Sequence, residues 1–312
     1  MDNLKTNVIF PHLGIEFHHF TSGFDVFGFH IAFYGVVIGF GMLLGMLMAF
    51  WTAKRTGQNP DFYMDFALVA IITSVIGARI YYVVFAWDEF RDRPLSVFNL
   101  RTGGLAIYGG IIVAFLTAII YARYKKYSFW LLVDTGCIGL VTGQMIGRWG
   151  NFFNREAFGK YTDGLFAMQL DRRVVSSVYQ DTISSSQLQQ MYSGRPKALE
   201  RIMEIRNHIQ SVDGISYIQV HPTFLYESLW NLCLLIILVL YTKHKKFDGE
   251  VMLLYLFGYG LGRVWMEGLR TDQLFLWGTP FAVSQLLSAL LVLGSAIYLV
   301  YRRMKLKNTR LT

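Results

Sequence analysis

Residues 131–159 decide the fold of this 312-residue chain: LLVDTGCIGLVTGQMI is followed at once by GRWGNFFNREAFG. The first part is apolar enough to lie in a membrane, whereas the second brings charged and amide side chains together. An arginine at membrane depth costs roughly 2.5–3.5 kcal/mol on insertion scales, so it is normally retained for work on an ion or a substrate. The junction predicts a membrane helix that ends in a polar functional site.

The composition agrees with a membrane location. The chain is 54% hydrophobic and 16% charged, whereas soluble domains carry about 25% charged residues. Apolar stretches of roughly 20 residues, the length of a membrane-crossing helix, recur along it. The net charge of +8 comes from basic clusters at the ends of these stretches, which indicates topology and attraction to anionic membrane lipid rather than nucleic acid. The sequence therefore predicts an all-α polytopic membrane protein and no nucleic-acid partner.

Seven transmembrane helices are predicted. They cover residues 31–53, 62–87, 103–122, 129–150, 223–242, 250–267 and 281–301. Basic clusters follow the first, third, fifth and seventh spans. Because basic loops stay in the cytoplasm, the N-terminus is expected outside and the C-terminus in the cytoplasm.

The connection between spans four and five is long and polar. Residues 152–222 include a predicted short helix at about 196–210. We interpret this connection as a small extracytoplasmic head. The predicted division is therefore 1–150 for spans one to four, 151–222 for the head and 223–312 for spans five to seven.

A polar stripe is predicted on the sixth span. Tyr259, Arg263, Glu267 and Arg270 are spaced four, four and three residues apart, so they share one helix face. A structural clamp would explain Arg263 and Glu267 alone. Two arginines with a tyrosine instead favour a cationic wall that faces a cavity among the helices.

The end of the fourth span carries a second polar group. Arg148 and Asn151 are three residues apart, and Glu156 falls near the same face if the helix continues. The planar fork of an arginine suits phosphate oxygens. The alternative is a capped helix end. Asn154 and the surrounding glycines favour close backbone approach; these are Gly143, Gly147, Gly150 and Gly159.

Two further stretches carry polar groups at membrane depth. Glu227 opens span five, in HPTFLYE, and is predicted to pair with an arginine of another helix. Tyr108 lies between two glycine pairs in GGLAIYGG, which would let a neighbouring helix or a ligand approach closely. Tyr34 and Arg79 add polar groups in spans one and two and are compatible with a structural role.

Several classes of chemistry are unsupported. The histidines show no metal-ligand spacing, and neither a serine-hydrolase elbow nor a phosphate-binding loop occurs. Cys137 and Cys233 lie in apolar runs and are expected to be small buried hydrophobes. We therefore expect no metal and no cofactor.

These motifs resemble those of the bacterial phosphatidylglycerol–prolipoprotein diacylglyceryl transferases. The resemblance rests on the runs at residues 147–159, 221–227, 258–270 and 103–110, with Tyr34-Gly35 and Ala78-Arg79-Ile80 in addition. It covers nearly the whole chain except residues 171–216.

The resemblance implies a bacterial inner-membrane enzyme. Such an enzyme moves diacylglyceryl from phosphatidylglycerol to the lipobox cysteine of a preprolipoprotein signal peptide and releases glycerol phosphate. By position, Arg148 would bind the phosphatidylglycerol headgroup. Other matching positions are tied to activity or to the integrity of the site: Tyr34, Asn151, Glu156, Gly159, Tyr259, Arg263 and Glu267.

The chain departs from this family at Tyr108, where many members carry a histidine considered as a base. A phenol with a pKa near 10 is a poor base at neutral pH, so Tyr108 is expected to donate or accept hydrogen bonds only. The leaving group is anionic, and cations should stabilise it. Arg148, Arg263 and Arg270 are the candidates, with Glu156 and Glu267 orienting them. The alternative function is a transporter or flippase for an anionic lipid.

Overall fold

The computed structural model describes residues 6–100, 103–271, 273 and 282–309. Within these ranges the chain is mostly helical. The helices are α1 (Phe33–Arg55), α2 (Pro60–Phe85), α3 (Ile107–Tyr124), α4 (Phe129–Asn154), α5 (Ser185–Met191), α6 (Pro196–Asn207), α7 (Thr223–Tyr241), α8 (Glu250–Glu267) and α9 (Val283–Thr309). The short helix predicted at about 196–210 corresponds to α6.

Six of the helices described here are long and apolar enough to cross a membrane: α1, α2, α3, α4, α7 and α9. These match six of the seven predicted spans, although α3 begins four residues later than predicted and the predicted start of the last span, Phe281, lies outside the described residues. The remaining span corresponds to α8, which has the predicted bounds. It is set apart because its 18 residues include three charged ones, Glu250, Arg263 and Glu267, whereas each of the other six contains an 18-residue stretch with at most two.

The prediction of an all-α fold is wrong, because the chain also forms β-sheets. The strands are β1 (Thr6–Phe10), β2 (Ile15–Phe20), β3 (Gly23–Val26), β4 (Phe29–Ala32), β5 (Met168–Asp171), β6 (Gln210–Val212) and β7 (Ile215–Val220). A five-stranded antiparallel sheet has the order β2-β1-β5-β7-β6, and β3 pairs with β4 in a separate hairpin. Residues near the N-terminus therefore share a sheet with the segment between α4 and α7.

The sheet has its own hydrophobic core. Side chains from the strands pack with those of α5 and α6 and with Phe152 at the end of α4. The most deeply buried members are Val8, Leu170, Leu188, Ile205, Ile218 and Val220. This core fixes the end of α4 against the sheet, which matters because α4 carries the arginine of the predicted site.

The chain forms two compact units. The first contains Met1–Leu44, Val141–Leu238 and Leu253–Thr312, and the second contains Gly45–Leu140 and Val239–Met252. The predicted three-part division at residues 150 and 222 followed the expected sides of the membrane, and it stays a prediction.

In the second unit, α2 and α3 pack closely through two glycines. A Cβ at Gly77 would lie 2.3 Å from a methyl carbon of Val113, and one at Gly109 would lie 2.5 Å from the carbonyl oxygen of Gly77. Small residues at a helix interface allow such close backbone approach in membranes. The glycine pair at residues 109–110 of the GGLAIYGG run therefore contributes to helix packing.

Candidate active site

The polar end of α4 is held in place by α1, within the first compact unit. A Cβ at Gly150 would lie 2.8 Å from the ring of Tyr34, and one at Gly147 would lie 3.3 Å from a methyl carbon of Ile38. The α4 glycines therefore let α1 approach closely. Tyr34, a predicted site residue, contacts α4 between Arg148 and Asn151.

Arginines from three segments converge on Glu227, the buried carboxylate of α7. Arg148 Nε lies 2.8 Å from Oε2, and Arg263 Nη1 lies 3.4 Å from the same oxygen. Arg270 Nη1 lies 3.6 Å from Oε1. The prediction that Glu227 pairs with an arginine of another helix is confirmed, because α4, α8 and the residues after α8 each supply one.

A second carboxylate completes the cluster. Glu267, one helical turn after Arg263, lies with its Oε2 2.7 Å from Arg263 Nη2. Arg263 therefore bridges two carboxylates through different nitrogens. The five side chains comprise three guanidinium groups and two carboxylates, so 3 − 2 leaves a formal charge of +1. Because the carboxylates are about 5% exposed, little water screens this charge.

A narrow cavity adjoins the cluster. Its lining comes from α7 and α8: Glu227, Trp230, Asn231, Tyr259, Gly262, Arg263 and Met266. Tyr259 is held by a ring stack on Tyr255, with centroids 5.6 Å apart, and the Tyr255 hydroxyl hydrogen-bonds to Gln144 of α4. The predicted stripe of α8 thus faces a cavity, with Tyr259 and Arg263 both on its wall.

The predicted amides form a separate group one turn along α4. Asn151 Nδ2 and Asn154 Nδ2 donate hydrogen bonds of 3.1 and 3.3 Å to Oε1 of Glu156. The expectation that Glu156 orients an arginine is therefore wrong, because its carboxylate holds these two amides. Glu227 contacts the arginines instead, and its pairing followed from its depth rather than from spacing, since it lies on another helix.

Gly159 lies where three segments of the chain meet. Its N–H donates to the carbonyl of His221, and the N–H of Lys160 donates to the carbonyl of Leu269, both at 2.9 Å. A Cβ at Gly159 would lie 2.7 Å from the Cβ of His221, so a larger residue does not fit. Arg270 forms an antiparallel β-bridge with Gly159. This main-chain junction therefore places Arg270 beside the start of α7.

Arg201 of α6 supports the same junction and had no signal in the sequence. Its guanidinium donates to the carbonyls of Arg270 and Gly268 at 2.5 and 3.1 Å. These carbonyls follow the C-terminus of α8, where a cation is favourable. The head segment therefore contacts the end of the arginine-bearing helix directly.

The pKa of His221 is shifted by the surroundings of its imidazole at this junction. Partial burial, with a smaller contribution from the positive charge of Lys160, lowers its pKa below the ordinary value. Its Nδ1 lies 3.2 Å from the hydroxyl of Tyr226. The neutral imidazole is therefore the favoured form in the folded chain.

Tyr108 belongs to the second compact unit, near the start of α3, and its side chain is 48% exposed. The glycine pair before it has a structural function: Gly103 and Gly104 both adopt positive φ, and their carbonyls accept hydrogen bonds from Arg79. A Cβ at Gly104 would lie 2.6 Å from Arg79 Nη1. Gly103 and Gly104 therefore allow the close approach of Arg79, a side chain of the neighbouring helix α2.

The fold and this cluster define a polytopic membrane protein with a buried cationic site beside a cavity, an arrangement that suits an anionic group of a lipid. The family model described as "Prolipoprotein diacylglyceryl transferase" matches residues 22–301. The chain belongs to the prolipoprotein diacylglyceryl transferase family.

Individual relatives support this assignment. The chain is 37% identical over 285 residues to the phosphatidylglycerol–prolipoprotein diacylglyceryl transferase of Clostridioides difficile strain 630, covering 91% of this chain and 96% of the relative. It is 37% identical over 275 residues to the enzyme of the same name from Bacillus mycoides, covering 88% and 89%. The predicted resemblance and enzyme class are confirmed, which sets aside the transporter alternative.

Proposed function

We propose that this enzyme transfers the diacylglyceryl group of phosphatidylglycerol to the lipobox cysteine of a preprolipoprotein and releases glycerol phosphate. Convergence of Arg148 and Arg263 on one oxygen of Glu227 carries this proposal, because it concentrates positive charge at a single point. A phosphodiester headgroup entering beside Glu227 would meet two guanidinium groups held in fixed orientations. The names of the relatives, which include both substrates, support the same reaction.

In this mechanism the cysteine sulfur attacks the glycerol carbon that carries the phosphate. A carbon–sulfur bond forms while the carbon–oxygen bond breaks, and its electron pair leaves on the phosphate oxygen. Arg148 and Arg263 stabilise the resulting dianion, with Arg270 as the third cation. A thiol with a pKa of about 8.5 needs a base, and a carboxylate of the site accepts its proton. Tyr108 takes part at most through hydrogen bonds.

The remaining predicted residues have supporting functions. Glu267 holds Arg263 on the helix face toward the cavity, and Tyr259 forms the wall beside it. Asn151, Asn154 and Glu156 form a polar group that positions the glycerol part of the substrate. Tyr34 and Gly159 maintain the geometry by contacting α4 and the junction before α7.

We also propose that α8 is the seventh span of an inner-membrane protein, with the five-stranded sheet outside the cytoplasm. Arg263 of α8 pairs with Glu227 and with Glu267, and all three residues belong to the first compact unit. Polar residues whose partners lie within the protein are tolerated in a membrane helix. Basic residues lie at or just after the C-terminal ends of α1, α3, α7 and α9, which favours a cytoplasmic location for those ends. The N-terminus would be outside and the C-terminus inside.

Product analysis tests the function. Purified enzyme is mixed with phosphatidylglycerol and a lipobox peptide, and we expect thioether-linked diacylglyceryl peptide and glycerol phosphate in equal amounts. Arg148→Lys keeps the charge but loses the bidentate fork, and turnover should fall about 100-fold or more. Arg173→Lys is the matched control, because Arg173 pairs with Asp171 beside β5 and should leave turnover unchanged. Normal turnover by the Arg148 variant would reject the headgroup site, and absence of both products would reject the reaction.

A further inference from the structure

The β3–β4 hairpin is amphipathic and exposed. Its register pairs Phe24 with Ile31, Asp25 with His30 and Val26 with Phe29. Because side chains alternate across a strand, the first and third pairs form an apolar face and the middle pair a polar one. On the polar face, His30 Nδ1 lies 2.9 Å from Asp25 Oδ1. The hairpin thus separates a charged face from an apolar one within a few residues.

The turn of this hairpin contains a residue that its backbone disfavours. Phe27 and Gly28 have φ of 51° and 80°, the positive pair of a tight two-residue hairpin turn. Asparagine, aspartate and glycine are preferred at the first position, and a bulky residue there is an outlier. The β6–β7 hairpin has almost the same angles, 50° and 76°, and uses Asp213 and Gly214. The phenyl group at position 27 therefore replaces a better turn residue.

The Phe27 side chain is 98% exposed, so no contact within the described chain offsets this unfavourable backbone. Exposed apolar side chains on the membrane-spanning helices are explained by lipid. Phe27 lies outside every span, as do Phe24 and Phe29, which are 42% and 60% exposed. A contiguous exposed apolar patch normally marks an interaction surface.

Chain continuity indicates what covers this patch. Strand β4 ends at Ala32 and α1 begins at Phe33, so the hairpin adjoins the start of a membrane span. The Phe33 N–H donates to the carbonyl of Ser22 at 2.8 Å, which closes the hairpin onto the helix. At a rise of roughly 3.3 Å per residue, the turn lies within about 15 Å of the membrane helix. An amphipathic element at this position fits the boundary between headgroups and acyl chains.

We propose that the β3–β4 hairpin lies in this boundary, with Phe27 and the apolar face toward the acyl chains and the Asp25–His30 pair toward water. The hairpin also connects to the candidate site through aromatic rings. Phe33 lies between Phe24 and Phe153, with ring centroids 5.4 and 5.0 Å away. Lipid contact at the hairpin would therefore steady the end of α4 that carries the polar site. This proposal stands independently of the reaction.

The experiment measures membrane depth at position 27. In a Cys137→Ala, Cys233→Ser background of the full chain, Phe27→Cys is labelled with an environment-sensitive fluorophore and reconstituted in phosphatidylglycerol–phosphatidylcholine vesicles. Asp213→Cys, at the equivalent position of the other hairpin, is the matched control. We expect blue-shifted emission at position 27, with quenching by nitroxides on shallow acyl carbons at least threefold stronger than at position 213. Both labelled proteins should retain transfer activity, which shows that they are folded.

Two results would overturn the proposal. One is water-like emission at position 27, with quenching by aqueous iodide equal to that at position 213. The other is shielding of position 27 from both iodide and lipid nitroxides, which would indicate a protein partner in place of lipid.

Discussion

Two arginine environments in this enzyme, one buried and one half-buried, differ in what surrounds the guanidinium group. Arg79, in the second compact unit, is 6% exposed and donates to five backbone carbonyls, those of Val97, Gly103, Gly104, Ser96 and Asn99, at 2.7–3.0 Å. Arg148 and Arg263, in the first unit, instead share a side-chain carboxylate.

The difference shows that a buried arginine is not by itself a sign of a substrate site. The five hydrogen bonds of Arg79 occupy all three of its nitrogens and organise the loop before α3. Among the described residues, the ion pair of Arg148 uses Nε toward Glu227, so its two Nη groups would remain for the proposed headgroup. Neighbouring donors and acceptors, rather than depth, distinguish a structural arginine from a functional one.

Removing the shared carboxylate should have the largest effect. Glu227→Gln keeps the shape of the side chain but leaves three arginines around a neutral group. Breaking a buried ion pair costs about 3–5 kcal/mol of stability. Because the arginines also lose the carboxylate that orients them, the transfer rate per folded enzyme should fall at least about 100-fold. The measurement is the peptide transfer assay, with Glu204→Gln on α6 as control. A rate close to that of the unaltered enzyme would mean that the convergence of arginines is only structural.

Arg79→Lys should lower the stability of the fold and leave turnover per folded molecule nearly unchanged, in contrast to Glu227→Gln. A lysine ammonium has three donors and leaves at least two of the five carbonyls without their partner, so stability should fall by about 3 kcal/mol. The folded fraction should turn over at nearly the normal rate per molecule. Apparent unfolding temperature and turnover per folded enzyme are measured together. A large decrease in turnover without loss of stability would assign Arg79 to the chemistry and remove the contrast.

A smaller effect is expected from pH at the junction before α7. Because burial and Lys160 lower the pKa of His221, the folded chain keeps this imidazole neutral while the unfolded chain protonates it below about pH 6.5. Stability should therefore decrease as pH falls through that value. The unfolding temperature, followed between pH 7.5 and 5.5, should vary less in His221→Gln. An identical pH dependence in both proteins would contradict this assignment.

Tyr108→Phe should change least. The side chain is 48% exposed and its phenol is a poor base at neutral pH. Loss of the hydroxyl should therefore alter the activation free energy by no more than about 0.5 kcal/mol, or roughly twofold in rate. The rate is measured beside that of Arg148→Lys, for which a large decrease is expected. A decrease of tenfold or more would place the phenol in the reaction.

The sequence predicted the helices well because membrane spans are long and strongly apolar. The bounds of α8 were predicted to the residue, and the pairing of Glu227 with an arginine followed from the cost of an isolated charge at depth. Its three partners were not predictable, since they come from segments whose relative orientation is set by packing. Spacing correctly placed Arg263 and Glu267 on one face, because the i, i+4 geometry is local.

The strands were missed for a physical reason. Strands β1 to β4 are four to six residues long, and much of their exposed surface is apolar, so their alternation is weak beside the helix signal. The partner of Glu156 was predicted wrongly because its turn contains Arg155 and Ala157 at positive φ. These left-handed residues end the helix and direct the carboxylate back toward Asn151 and Asn154, which no helical periodicity would indicate.

The junction at Gly159 has a consequence for how such enzymes diversify. Its connections to His221 and Leu269 run through main-chain N–H and carbonyl groups, which every amino acid except proline supplies. The surrounding side chains are thus free to change while the attachment persists, provided that position 159 stays without a Cβ. Apart from Arg201, which supports the junction from α6, the side chains between β5 and β7 can therefore change without loss of this attachment.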